Sequence, residues 1–161
     1  MIKALFLDVD GTLTDGKIYM GSEGELCKAF NIKDGYGIGV LLRQAGIEPI
    51  IITGRSSQIV ENRCRELGIT SLYQGVEVKL KKMQELLEAK GLKLAEAAYI
   101  GDDINDLECM KAIKDGGGLV GCPSDAVTQV KAISHFISGH AGGEGAVRDF
   151  IEWIYCELVH A

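Results

Sequence analysis

Short aliphatic runs at 2–9, 48–53, 71–73, 97–101 and 117–120 alternate along this chain with segments of helical period, and that alternation leaves few folds open to it. The segment 35–45 repeats apolar residues at Ile38, Leu41 and Leu42, 56–67 opens on serines suited to cap a helix, and 76–89 sets Leu80, Met83, Leu86 and Leu87 on one face. Gly46, Gly68 and Gly91 fall just beyond these segments, where a left-handed residue ends a helix with little strain. Strands joined through helices run parallel, and the helices cover both faces of the sheet. The expected fold is α/β, a Rossmann-like parallel sheet whose ligand crevice lies beyond the carboxyl ends of its strands.

The first run ends in Asp8-Val9-Asp10-Gly11-Thr12-Leu13-Thr14-Asp15-Gly16. Strand side chains alternate, so Asp8 and Asp10 share a side, and two anions that close repel unless a cation or a proton stands between them. A turn after a strand also favours Asp-Gly. A divalent metal explains more, because Thr53 and Asp102 end two other strand-like runs and so reach the same sheet edge. Lys79 lies in the first turn of a helical segment, where its charge opposes the macrodipole unless an anion such as Asp8 or a phosphate is near. Asp103 fits the N-cap of a helix beginning near Ile104. Between the first strand and the first helix, 17–20 and 25–30 read as short strands around Gly21-Ser22-Glu23-Gly24. They make a β-hairpin flap over 17–30 with an open edge that invites association.

At 161 residues the chain is expected to form one domain, 1–161. A net charge of −6 argues against a nucleic-acid partner, which clustered Lys and Arg would hold. The five cysteines, Cys27, Cys64, Cys109, Cys122 and Cys156, are odd in number and lack paired spacing, favouring reduced thiols in the cytoplasm over disulfides or a zinc cluster. The N-terminal apolar run is short and broken by Asp8, so it reads as neither signal peptide nor membrane anchor, and no membrane partner is expected.

The Asp8-to-Asp10 segment, Ile50-Ile51-Ile52-Thr53-Gly54-Arg55, Lys79 preceded by Gln74-Gly75, and Tyr99-Ile100-Gly101-Asp102-Asp103-Ile104-Asn105-Asp106 resemble, in order and spacing, the four motifs of the haloacid dehalogenase superfamily of phosphatases. The resemblance implies that Asp8 is a nucleophile forming an aspartyl-phosphate, and that Asp10 is general acid and then general base, with a carboxyl raised by burial. It implies Mg2+ held by Asp8, the Asp10 backbone carbonyl and Asp102. Thr53 and Gly54 would contact the phosphoryl oxygens, Lys79 would supply a second cation, and Asp103 or Asp106 would support the metal ligands through hydrogen bonds. Superfamily members often carry a cap domain after the first motif. The flap is too short for one, so the chain reads as capless, with another subunit covering the site.

Further stretches extend the likeness. Thr14-Asp15-Gly16, Phe30-Asn31-Ile32-Lys33-Asp34-Gly35-Tyr36-Gly37-Ile38, Arg63-Cys64 and Gly142-Gly143-Glu144-Gly145-Ala146-Val147-Arg148 are similar to the capless, tetrameric 3-deoxy-D-manno-octulosonate 8-phosphate phosphatase family of the lipopolysaccharide-sugar pathway. This implies a sugar pocket lined by Asn31, Lys33, Asp34, Gly35, Arg55, Arg63 and Asn105. It also implies a homotetramer in which the Gly-rich tail and its helix, 139–158 with Arg148, pack close to an active site across the assembly. Gly39 departs from the pattern, which has a basic residue after Gly37-Ile38. A near relative acts on nine-carbon sialic-type sugar acid 9-phosphates and is expected to be acidic at the position of Arg55, which favours the eight-carbon substrate here. Two other classes fit less well: a receiver-like signalling module carries its aspartate on a later strand and has no counterpart of Asp102-Asp103, and a non-catalytic accessory to a sugar cytidylyltransferase does not call for competent residues at all four motif positions.

Overall fold

A computed structural model describes residues 1–160, with side chains described as far as Glu157. Six parallel strands form the sheet, in the order β5 (Ser71–Tyr73), β4 (Glu48–Ile52), β1 (Ala4–Leu7), β6 (Ala97–Ile100), β7 (Leu119–Cys122) and β8 (Phe136–Ile137). β1 is the hinge of the topology, pairing with β4 on one side and β6 on the other, so that Leu7 lies between Ile51 and Ile100. The chain reverses direction across the sheet there, and the three strand ends open one crevice.

Every residue of β1 is buried, as suits a central strand covered on both faces. Strand alternation sends Leu5 and Leu7 to one core with Ile51, Ile100, Val60, Phe150, Ile151 and Ile154. Ala4 and Phe6 go to the other, with Ile50, Ile52, Tyr99, Met83, Leu87, Met110 and Ile113. Helices α3 (Gln58–Leu67) and α7 (Ala146–His160) cover the first face; α4 (Lys79–Lys90) and α5 (Ile104–Asp115) cover the second. Gly46, Gly68 and Gly91 end their helices in the left-handed region, at φ 68°, 71° and 63°.

Several elements differ from the sequence-based expectations. The helical segment 35–45 begins earlier, because the Asn31 side chain caps it, and it runs as α1 (Ile32–Tyr36), a π turn (Gly37–Leu41) and α2 (Leu42–Ala45). Ser57 does not cap α3; its hydroxyl donates instead to Glu25 at 2.6 Å. The strand expected at 117–120 starts at Leu119, since Gly117 has φ 86° and belongs to the turn. The short helix α6 (Thr128–Ile133) and the two-residue β8 carry too little periodicity to be read beforehand. The flap is a separate antiparallel pair, β2 (Tyr19–Gly21) and β3 (Gly24–Cys27), with Met20 and Leu26 more than half exposed. No helix among the described residues is long and apolar enough to cross a membrane.

The Gly-rich tail packs on its own chain. Gly143 N–H donates to the Thr12 carbonyl at 3.2 Å, and a Cβ on Gly142 would fall 1.9 Å from the Gly11 carbonyl oxygen. The tail therefore backs the 11–14 loop of the same chain, rather than serving only a neighbouring subunit.

Candidate active site

β1 delivers Asp8 and β6 delivers Asp102 at their carboxyl ends, while the first turn of α5 adds Asp106. One carboxylate oxygen from each of these three lies within 4.8 Å of the others. Glycine is required on two sides of this cluster. A Cβ on Gly11, which sits at φ 90°, would lie 2.1 Å from Asp102 Oδ2, and one on Gly101 would lie 2.5 Å from the Asp106 carboxylate.

Lys79, its side chain only 3% exposed, places Nζ 2.9 Å from Asp8 Oδ1 and 2.8 Å from Asp106 Oδ1. Asp106 is saturated: Tyr99 donates its hydroxyl to Oδ1 at 2.8 Å, and the backbone N–H groups of Asp102 and Asp103 donate to Oδ2 at 3.1 and 3.4 Å. Thr12 donates its hydroxyl to Asp102 Oδ1 at 2.8 Å. Asp106 thus anchors the lysine and the 101–103 turn, and Asp8 and Asp102 hold the outward positions.

Three carboxylates around one ammonium leave an excess of negative charge. At an effective dielectric constant near 20, like unit charges at that spacing repel by about 3 kcal/mol. Burial, reinforced by Asp106 and opposed by Lys79, pushes the Asp8 carboxyl up, to about 8. Burial likewise lifts Asp102 to about 7 against the Thr12 hydrogen bond. Burial alone would depress the Lys79 ammonium, yet Asp8 and Asp106 together hold it above its ordinary value. A crowded, buried set of hard oxygen donors with surplus negative charge fits a hard divalent cation.

Asp8, Asp10, Gly16, Thr53, Gly54, Arg55, Asp102, Asp103 and Asn105 line one open cleft of about 260 Å³. Thr53 is buried and fixed by its backbone, donating to the Tyr73 carbonyl and accepting from Val76 N–H. Asp103 caps α5 and is exposed, as is Asn105. The burial expected around Asp10 is not found: its side chain is 20% exposed and is bonded by Lys28, with Arg55 Nε 4.0 Å away. Lys28 follows β3 directly, so the flap reaches Asp10 through it.

The rest of the expected sugar pocket does not assemble around this cleft within one chain. Asn31 is occupied as the α1 cap. Asp34 is buried and accepts from Arg148 N–H at 2.8 Å at the start of α7; its Oδ2 has no hydrogen-bond partner among the described residues, and burial pushes its carboxyl up to about 6 despite the N–H groups of Arg148, Gly145 and Val147. Gly35 makes room for Arg63, whose Nη2 would be 2.4 Å from a Cβ there. Arg63 itself pairs with Glu66 at 2.8 Å and lies over the Phe30 ring. Lys33 and Arg148 face a different groove beside Glu144 and Glu152, and Arg148 pairs with Glu152 at 2.6 Å. The physical reason is shared: 30–36 packs against α3 and α7, and Asn31, Asp34, Gly35 and Arg63 border an apolar cavity with Val9 and Leu13 rather than the cleft that holds Asp8 and Asp102.

The sequence assigns no function to Thr12, Glu25, Lys28 or Tyr99, and marks Ser57 only as a helix cap. Thr12 and Tyr99 lie inside quoted motifs and could have been weighed as hydrogen-bond donors. Glu25, Lys28 and Ser57 meet only through the folded position of the hairpin, which no local pattern announces.

The family model for haloacid dehalogenase-like hydrolases matches residues 40–114. The 3-deoxy-D-manno-octulosonate 8-phosphate phosphatase of Escherichia coli K12 is 46% identical over 148 residues, which is 92% of this chain and 76% of that protein. A crystal structure of the Moraxella catarrhalis enzyme of that name, in complex with magnesium, phosphate and the sugar acid KDO, superposes with a TM-score of 0.89 at 41% identity, over 96% of this chain and 86% of the other. The cobalt-bound Haemophilus influenzae phosphatase superposes with a TM-score of 0.89 at 34% identity, over 96% and 88% of the two chains.

Proposed function

The chain belongs to the haloacid dehalogenase-like hydrolases, in the family of 3-deoxy-D-manno-octulosonate 8-phosphate phosphatases, and is a phosphoric monoester hydrolase; from that membership we propose that it hydrolyses 3-deoxy-D-manno-octulosonate 8-phosphate with Mg2+ as cofactor. The observation that carries the reading is the meeting of Asp8 and Asp102 beside the buried Lys79 at the ends of β1 and β6.

In this reading Asp8, the Asp10 carbonyl and Asp102 hold the magnesium, which neutralises charge on the cluster and on the phosphoryl group. An Asp8 carboxylate oxygen attacks phosphorus, so that an O–P bond of an acyl phosphate forms as the bond from phosphorus to the sugar oxygen breaks. Asp10 gives its proton to the departing oxygen and then takes one from the water that cleaves the aspartyl-phosphate. The Thr53 hydroxyl and Gly54 N–H donate to the phosphoryl oxygens. Lys79 holds Asp8 in its attacking orientation and offsets its charge. Asp106 acts from behind, through Lys79 and the 101–103 backbone, and Asp103 supports the same turn as the cap of α5. Arg55 and Asn105, at the mouth, are the sugar-acid contacts that this chain supplies to its own cleft.

Asn31, Lys33, Asp34, Gly35, Arg63 and Arg148 would then reach substrate only across a subunit boundary. A homotetramer belongs to the same reading, supported by the apolar Ile18, Tyr19, Met20 and Leu26 that the hairpin exposes. Five unpaired thiols suit the reducing cytoplasm. The test is phosphate release from the eight-carbon and nine-carbon sugar acid phosphates, with and without chelation of magnesium. A higher kcat/KM for the eight-carbon ester, lost on chelation, supports the assignment; a preference for the nine-carbon ester moves the chain to the neighbouring specificity.

A further inference from the structure

The flap carries a charge network that the phosphatase chemistry described so far does not use. Lys28, directly after β3, buries its ammonium with the side chain 2% exposed, bonding Asp10 Oδ1 on one side and Glu25 Oε1 at 2.8 Å on the other. Glu25 is tied in turn to the wall of the cleft, accepting from the Ser57 hydroxyl at 2.6 Å, with Arg55 Nη2 3.8 Å away. The chain of contacts runs Asp10, Lys28, Glu25, Ser57, and joins the first motif to the loop after Thr53 through the hairpin.

Stability does not account for this arrangement. Dehydrating an ammonium is expensive, and ion pairs that bury a charge are often no better than apolar packing of the same volume. Burial indeed works against the Lys28 charge, and only Asp10 and Glu25 restore it. The group on which the network ends, however, is the carboxylate that must meet a departing oxygen. A proton donor contributes only when held within hydrogen-bond reach in a defined orientation. The Asp10 side chain is one-fifth exposed, and among the described residues its side-chain hydrogen bond comes from Lys28, with Arg55 Nε farther off at 4.0 Å, so Lys28 does most to set its orientation.

We propose that Lys28 is a positioning residue for Asp10, with Glu25 and Ser57 fixing Lys28, so that the hairpin aims the proton donor at the leaving oxygen. This rests on the reading of Asp10 as that donor. The flap is then a working part of the site in each chain, besides any part it plays in assembly.

Leaving groups discriminate this role from a structural one. An alkoxide departing from a sugar phosphate needs a proton, whereas p-nitrophenolate leaves without one. Lys28→Met should lower kcat/KM for the sugar-acid phosphate by about 100-fold, the lower range for general acid catalysis, and leave kcat/KM for p-nitrophenyl phosphate nearly unchanged. Lys28→Arg should recover part of the loss on the sugar ester. Glu25→Gln, which keeps Lys28 but loosens it, should show the same leaving-group dependence with smaller amplitude, and it decides the matter if Lys28→Met does not fold. Equal losses on both esters, or no loss on either, would overturn the role of Lys28 while leaving the phosphatase intact. A wild-type protein inert toward both esters would instead overturn the reading of the site itself.

Discussion

At the level of single residues, the site is built by crowding. Asp8, Asp102 and Asp106 approach to within 4.8 Å because glycines at 11 and 101 leave the space and Lys79 takes up part of the charge. Gly11→Ala should therefore cost activity and stability together, by about 100-fold in kcat/KM and about 2 kcal/mol in unfolding free energy, since φ 90° is strained for alanine and the new methyl meets Asp102; steady-state kinetics and urea unfolding read both. Asp34 offers a pH-dependent counterpart outside the cleft of its own chain. Its folded-state carboxyl, at about 6, stands above the ordinary value of 3.8, so the folded chain binds the proton more tightly than the unfolded one. The penalty is absent below pH 3.8, grows through the interval and is complete above about 6. Asp34→Asn keeps an oxygen for the Arg148 N–H, and should gain stability relative to wild type as pH rises through that window, by at most about 3 kcal/mol. Thermal unfolding of both proteins between pH 4 and pH 8 checks the sign; a gain confined to low pH would contradict it.

Among the elements, the hairpin and the tail carry the least regular sequence and close the site from two directions. The tail holds the 11–14 loop from behind, where Gly142 N–H donates to Asp125 Oδ1 at 3.0 Å and Gly143 N–H to the Thr12 carbonyl. Gly142→Ala would drive a methyl to 1.9 Å from the Gly11 oxygen, backbone against backbone, so the loop must shift. Loss of magnesium affinity, measured by titration calorimetry, is expected alongside a lowered melting temperature. The hairpin exposes Met20 and Leu26, and if the proposed homotetramer forms through them, replacing both with Asp should give smaller species in sedimentation without altering the far-ultraviolet spectrum. The strands and helices were legible in the sequence wherever periodicity ran long enough, as in α4, with Met83, Leu86 and Leu87 buried on one face. Legibility failed at α6 and β8, six and two residues long, and at the start of α1, where a polar Asn31 cap precedes any apolar repeat.

For the molecule as a whole, the parallel sheet explains why the motif residues could be found without coordinates. Each lies at a strand end or a helix start, and the alternation of strand and helix carries all such positions to one edge. The expected sugar contacts were less legible because they depend on what packs beside them: Arg63 is committed to Glu66 and Phe30, Arg148 to Glu152 and the Tyr36 ring, and neither faces the cleft of its own chain. Lys28 marks the opposite failure, a lysine with no local signature that the folded hairpin sets on Asp10. The account as a whole stands on Asp8 as the atom donor to phosphorus. Wild-type protein mixed with the sugar-acid phosphate and magnesium, quenched in acid within the first turnover and digested, tests it most directly by mass spectrometry. The mass of one phosphoryl group should appear on the peptide carrying Asp8 and be absent in Asp8→Asn. Steady release of phosphate with no such adduct, or with the adduct on another residue, would contradict it.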